Sequence, residues 1–381
     1  MSTFGINIQT LGSEYPRLSW AEIFSMAIEK LANIRVGEKS YTGGVIYIPR
    51  GHYKMGGSLE INSRHLFIES GYDLASITIQ GEGTFSTILD FGGENASILI
   101  KGKNDEKTNV TYIRLRDFTV QNSAKSNIIV GESTRGVANH IELTNIRSNK
   151  AGEDGIRFNN VFMISLRGVF AQGNKCHGIS FEGGINTSVN ASNCFAAGNE
   201  WSGWSVNDVT YSSFEACGAD HNWAHGWYFK KIRNGSIKVI TCGAEHNGRA
   251  GFGVESDKKQ PSINVIFEGC LATMNNDKSK ISKQEDSLEK ITKDDKVNYP
   301  NLLWLYSDGY PASAIIKACS STHIRKDSPK VAVLAMGDKA TLIDDGNHYF
   351  YNKNGKQEIV LDKGVTHKVV QYKETKSITI P

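Results

Sequence analysis

Between Ala151 and Asn276 the chain repeats itself five times. Gly155, Gly178, Gly203, Gly226 and Gly251 follow one another at 23, 25, 23 and 25 residues, and Asn174, Asn199, Asn222 and Asn247 keep the same step. A period in this range marks a solenoid, whose units stack because none can bury its apolar face alone. Each unit holds short alternating runs such as FMISLRGVF and SIKVITCGA, broken by Gly and Asn. That is strand punctuation; a leucine-rich or helical repeat has another pattern. Three short strands and three turns in about 24 residues describe one coil of a right-handed parallel β-helix. The asparagines then stack as a ladder at one turn, where Asn tolerates left-handed backbone and its amide bonds to the Asn of the next coil.

The same register places the cysteines. Cys194, Cys217, Cys242 and Cys270 each precede a ladder asparagine (Asn199, Asn222, Asn247, Asn275) by five residues, and Val169 holds the equivalent place one coil earlier. Sulfurs stacked in line with a valine form a buried apolar column. No paired, close-spaced ligands such as C-x-x-C exist, so no cysteine zinc site is expected, and no residue pattern names another metal or a cofactor. Cys176 and Cys319 fall outside the column and receive no role.

The rest of the chain reads as one large domain. Residues 1–40 form an N-terminal segment with a capping helix over 19–32, in which Ser19 and Glu22 make a capping box and Trp20, Ile23, Phe24, Ala27, Ile28 and Leu31 recur at helical spacing. Such a helix can plug the open end of a β-helix. The β-helix itself is expected over 41–350, with residues 276–300 as an exposed charged insertion and 351–381 as C-terminal strands and tail. A net charge of +3 argues against nucleic acid as a partner. No apolar run is long enough to span a membrane, and the first twenty residues lack a signal-peptide pattern. The expected location is extracellular or virion-associated, without a recognisable signal peptide, with the cytoplasm as the alternative.

The opening helix, the segment GGVIYIPRGHY and units such as FEACGADHNWAHGWYF resemble the pectate-lyase-like superfamily. Within it they are similar to the branch of phage tailspike and exopolysaccharide depolymerases. The resemblance runs from residue 18 to about 276 and implies a parallel β-helix, a polysaccharide or oligosaccharide partner, and in many such chains a homotrimer. It leaves the reaction open, because the superfamily holds hydrolases, lyases, epimerases and transferases. The acidic start of the family's first helix is replaced here by Leu18-Ser19-Trp20-Ala21-Glu22-Ile23, and no aspartate array with a neighbouring arginine matches a calcium site. Calcium-dependent elimination is therefore not expected.

The chemistry must come from outward side chains. Counting back from each ladder asparagine, positions 10, 8, 5 and 3 are apolar or small and face inward, so positions 9, 7 and 2 face out. Successive coils present Arg167, Ser192, Glu215, Ile240 and Glu268 at position 7, and Gln172, Ala197, Asp220, Glu245 and Thr273 at position 2. Glycoside hydrolysis needs two carboxyl groups, about 5 Å apart in retaining enzymes and about 6.5–9.5 Å apart in inverting ones. Asp220 with Glu245 fits the shorter spacing, and Glu215 with either supplies a longer one. Stacked like charges favour one shared proton, which provides the acid.

Other candidates surround these acids. His221 and His246, each one place before a ladder asparagine, can orient a carboxylate or carry a proton. His177 and His225 share another turn column with Asp154 and Ser202, which can line a second groove on the turn after the ladder, away from the acids. Trp204 and Trp227 follow the repeat glycine and read as core, whereas Trp201 and Trp223 take turn positions and read as sugar platforms. Arg167 and Lys238 can bind carboxylates of an acidic glycan, with Glu268 at the edge of the same groove. The expectation is a glycoside hydrolase acting on a complex glycan. A lyase or transferase, or a glycan-binding module without catalysis, remains as an alternative.

Overall fold

The computed structural model describes residues 5–32, 35–36, 39–40, 43–62, 76–101, 110–131, 137–230, 236–256, 263–277, 299–323, 331–351 and 355–370. Two helices open the chain, α1 (Ile8–Glu14) and α2 (Trp20–Ala32). The capping box forms: Glu22 Oε2 accepts from Ser19 N at 2.7 Å, and Ser19 Oγ accepts from Glu22 N at 3.3 Å. The Ser19 amide bond lowers the Glu22 pKa. Ile23, Phe24, Ala27, Ile28 and Leu31 are buried, and α2 packs on the strands Gly43–Tyr47 and Leu59–Asn62, closing one end of the core. The sequence gives no sign of α1, which is too short for an apolar stripe. Asn7 starts it, its side chain accepting from the amides of Gln9 and Thr10.

From Gly43 onward each coil carries up to three strands, as in Ser212–Glu215, Gly218–Asp220 and Trp227–Lys230. The first and second strands stack into one 25-stranded sheet, continuous because Ile113–Gln121 and Ala138–Asn149 run through both positions. The third strands stack into an 11-stranded sheet from Leu59–Asn62 to Glu358–Leu361. Among the described residues, pairing is parallel except for Arg35–Val36 with Lys39–Ser40 and His348–Tyr351 with Gly355–Lys356. An all-β parallel β-helix results. Its register aligns Ser192, Glu215, Ile240 and Glu268, and also Ala197, Asp220, Glu245 and Thr273, as the repeat requires.

Inside, Phe214, Val239, Ala219 and Ala244 are fully buried with their column neighbours. Trp204 and Trp227 are core residues, stacked at 4.6 Å. Their indole N–H groups donate to the carbonyls of Gly218 and Gly243, both at 3.1 Å. The ladder asparagines are 0–1% exposed. Each side chain from Asn174 to Asn247 donates to the next at 2.8–2.9 Å, and each also accepts from a backbone amide. Asn301 closes the ladder, its Oδ1 accepting from Asn275 N at 2.9 Å.

Three expectations change. The left-handed residue at this turn is the one before the ladder position: Lys150, ahead of Ala151, and Gly173, Gly198, His221, His246 and Met274, each ahead of an asparagine, have φ near 50–65°. The asparagine itself points inward, so its role is hydrogen bonding and not backbone tolerance. Second, Cys319 belongs to the sulfur column, because Leu271 pairs with Ser320 and so sets Cys270 against Cys319. Shared hydrogen bonding with the neighbouring sulfur, together with burial, raises the thiol pKa of Cys194 and Cys242. Third, the ends of the expected insertion are buried: Asn276 and Tyr299 are under 10% exposed, and Tyr299 packs edge-on against Trp304 and His225. Residues 278–298 lie outside the described residues. The intervening segment had hidden the period that puts Cys319 in register.

Candidate functional site

Asp220 and Glu245 are direct partners on neighbouring parallel strands, both pointing outward beside the asparagine turn. Each is followed by a histidine held in the left-handed conformation, His221 with φ 55° and His246 with φ 50°. The two preceding coils place Gly173 and Gly198 there, where glycine carries no Cβ strain. Histidine in this conformation costs about 1 kcal/mol or more, a common mark of residues kept for their side chains. The result is a cluster of two acids and two imidazoles. His221 Nδ1 lies 2.5 Å from Asp220 Oδ1. His246 Nδ1 lies 3.8 Å from Asp220 Oδ1 and 3.5 Å from Glu245 Oε1, and the two rings are 4.6 Å apart. Side-chain exposure grades from 15% at His246 through 29% at Asp220 to 50% at Glu245, so the cluster is open on one side.

One ligand atom each from Asp220, His221 and His246 lies within 4.8 Å of the others. Imidazole nitrogen with a carboxylate oxygen is a donor set that suits zinc or a similar divalent ion. Asp220 and His221 already engage one another directly.

The remaining sequence candidates fall into two groups. Glu215 is exposed on the first strand, set apart from Asp220 by the left-handed bend at Ala216 and by Gly218. It makes none of the contacts that tie the four-residue cluster together. Arg167 and Lys238 also face solvent on the first strand. Glu268 is paired with Lys317 at 3.1 Å, farther along the same column. Trp201 and Trp223 stand half-buried on the turn after the ladder, and Trp201 meets His177 edge-on at 5.3 Å.

The column of Asp154, His177, Ser202 and His225 does not line a groove as expected. Asp154 is buried and bound by Arg157, Ser180 and the His177 amide. His225 is buried between Tyr228 and Trp304, ring centroids 5.2 and 5.5 Å away. Burial first, and the Arg249 charge second, push its pKa well below the ordinary histidine value. Cys176 beside them is pushed up to about 12, by burial first and then by the charges of Asp154 and Glu153. That leaves it a poor nucleophile.

The sequence reading missed the outward column four places before the ladder, between Glu215 and Asp220. It runs Arg147, Phe170, Phe195, Gly218, Gly243 and Leu271. The Phe170 and Phe195 rings stack at 5.6 Å, and the Arg147 guanidinium lies over Phe170 at 4.8 Å and over Phe85 at 5.2 Å. Counting that position coil by coil would have found the two phenylalanines. Phe85 comes from a coil with no matching repeat and gives no such signal.

No family model and no curated protein matches the chain. Solved structures do. The A-module of mannuronan C-5 epimerase AlgE4 from Azotobacter vinelandii aligns at 15% identity and a TM-score of 0.56, over 98% of this chain and 100% of that one. ORF18 of Geobacillus virus E2 aligns at 11% identity and a TM-score of 0.53, over 96% of this chain. The chain spans 62% of that phage protein. The catalytic domain of a GH87 α-1,3-glucanase in complex with nigerose aligns at 11% identity and a TM-score of 0.52, over 93% of this chain and 64% of that one. At such identities the likeness speaks for the fold alone. The chain is a parallel β-helix protein.

Proposed function

We propose that the chain is a polysaccharide-cleaving enzyme, a glycoside hydrolase that cuts within a complex acidic glycan outside a cell or on a virion. The observation that carries this reading is the register of Asp220 against Glu245. Outward side chains on adjacent parallel strands stand about 5 Å apart, the separation of a retaining pair. Asp220, fixed by His221, is suited to attack the anomeric carbon through its other oxygen. Glu245, more exposed, donates its proton to the departing oxygen. It then takes a proton from the water that releases the sugar from Asp220. His246, within 4 Å of both carboxylates, orients them. Glu215 offers the alternative second acid at the wider inverting separation. The structural neighbours named for mannuronan and α-1,3-glucan favour a glycan as substrate.

A second reading, β-elimination, draws on the same His221–Asp220 pair, since an imidazole aligned by a carboxylate is a good base. Digestion of a glycan panel with mass-spectrometric readout decides between them. New reducing ends without unsaturated uronate absorbance support the hydrolase, and that absorbance supports the lyase. Binding with neither product would make the protein a carbohydrate-binding module.

A further inference from the structure

We propose that the column of Phe170 and Phe195, with Arg147 and Phe85, is the subsite strip that binds an anionic polysaccharide and leads it to the acids. This rests on the acidic-glycan reading above and adds the substrate's path and the residues that hold it. Phe85 is 80% exposed, the most exposed of the large hydrophobic side chains among the described residues. A lone exposed ring on a solenoid is unremarkable, but this one begins a continuous stack. Phe85, Arg147, Phe170 and Phe195 follow one another along the axis through the two cation–π contacts and the ring stack. A cleft of about 400 Å³ lies beside Phe85, Arg147 and Phe170. The apolar C–H faces of sugar rings stack on such rings.

Arg147 supplies the charge selection. Its guanidinium is clamped between two rings, and its N–H groups donate to Gln172 Oε1 at 2.6 Å and Asn149 Oδ1 at 3.2 Å. Neither acceptor is charged. Asp117, the acid lining the cleft, is engaged with Arg116 at 3.5 Å and Asn145 at 2.9 Å. Arg147 is thus a pre-ordered cation whose charge is left for a ligand carboxylate, and Arg167 lies exposed on the adjoining strand. The strip ends where the column turns to glycine. The Phe195 ring covers Gly218, and nothing stands within 4 Å of a Cβ placed on Gly243. At that open point Glu215 flanks the column on one side and Asp220 and Glu245 on the other.

The test is calorimetric binding of uronic-acid oligosaccharides from the glycan panel and of their carboxyl-reduced counterparts, measured on Glu245→Gln to suppress turnover. Added to that background, Arg147→Gln is expected to weaken the acidic oligosaccharides about tenfold and to leave the reduced ones unchanged. Phe170→Ala is expected to weaken both about tenfold, with Phe170→Tyr retaining binding. Equal affinity of acidic and reduced forms, no effect of Phe170→Ala, or no binding by any acidic oligosaccharide would each overturn the proposal. Cleavage and binding fail separately. If the panel is bound in this pattern but never cut, the hydrolase reading falls and the strip stands. If the panel is cut but KM is indifferent to Arg147 and Phe170, the strip falls alone.

Discussion

The ring of Phe195 lies so close over Gly218 that a Cβ at position 218 would sit 2.2 Å from its Cε2 atom. Gly218→Ala must push the ring aside, which is expected to cost about 1 kcal/mol and to raise KM for the glycan. Gly243→Ala meets open space and is expected to stay within about 0.5 kcal/mol of wild type. Urea unfolding and steady-state kinetics on the pair check this. Equal behaviour of both would show that Phe195 adapts freely.

Removing the acids separates the two hydrolytic geometries. Asp220→Asn and Glu245→Gln should each lower kcat by about a thousandfold or more, while Glu215→Gln stays within about tenfold. An inactive Glu215→Gln with an active Asp220→Asn would move the chemistry to the wider pair. NMR of the first-formed anomer gives the same decision independently, retention being the expected outcome.

His221→Gly and His246→Gly test whether the imidazoles are there for chemistry. Glycine occupies the equivalent left-handed site in two neighbouring coils, so stability should be unchanged or slightly raised. Activity should fall at least about tenfold. Unfolding midpoints and kcat are read on the same samples. Activity should also survive dialysis against a chelator. Loss on chelation, with recovery on adding zinc, would instead assign Asp220, His221 and His246 to a metal ion.

Asn222 sits in the middle of the ladder, donating to Asn247 and to the Ala196 carbonyl while accepting from Asn199. Asn222→Ala leaves several buried polar groups unpaired and is expected to cost about 3 kcal/mol or more. Cys217→Ala in the sulfur column removes one small apolar group and is expected to cost about 1 kcal/mol. Chemical denaturation of the two variants compares them. A milder effect at Asn222 would mean that water enters the ladder.

His225 makes stability depend on pH. Its folded pKa is depressed, so below about pH 6.5 the unfolded chain takes up a proton that the folded chain refuses. Stability present above that pH is lost as pH falls, at up to about 1.4 kcal/mol per unit from this residue. His225→Phe keeps a ring between Tyr228 and Trp304 and removes the proton, so its stability between pH 4.5 and 6.5 should fall less steeply than that of wild type. Parallel curves would assign the acid sensitivity elsewhere.

Much of the molecule was legible before any coordinates. Period and strand punctuation specify the coil, and the ladder asparagine gives the register, which separates Phe214 and Cys217 inside from Glu215 and Asp220 outside. The capping box of α2 is local chemistry and is equally readable. Cys319 and Asn301 were lost because the segment after Asn276 interrupts the period, and register cannot be counted across an interruption. The strip of Phe170 and Phe195 lies just after the left-handed bend at Gly168 and Asn193, where the inward–outward alternation of the strand breaks and period alone does not say which way a side chain points.

The sequence by itself determined the coil, the stacking and the line of acids, because a repeat imposes the same short-range geometry on every unit. Only the tertiary structure decided that His221 and His246 are left-handed and reach across to Asp220 and Glu245. It alone closed His225 between Tyr228 and Trp304, and joined Phe85 to Phe170 through Arg147. These contacts depend on side-chain directions at turns, and several join residues far apart in the chain, as in His246 with Asp220, His225 with Trp304 and Phe85 with Arg147. A periodic pattern fixes which residues share a column, and turn geometry and packing fix what those side chains touch.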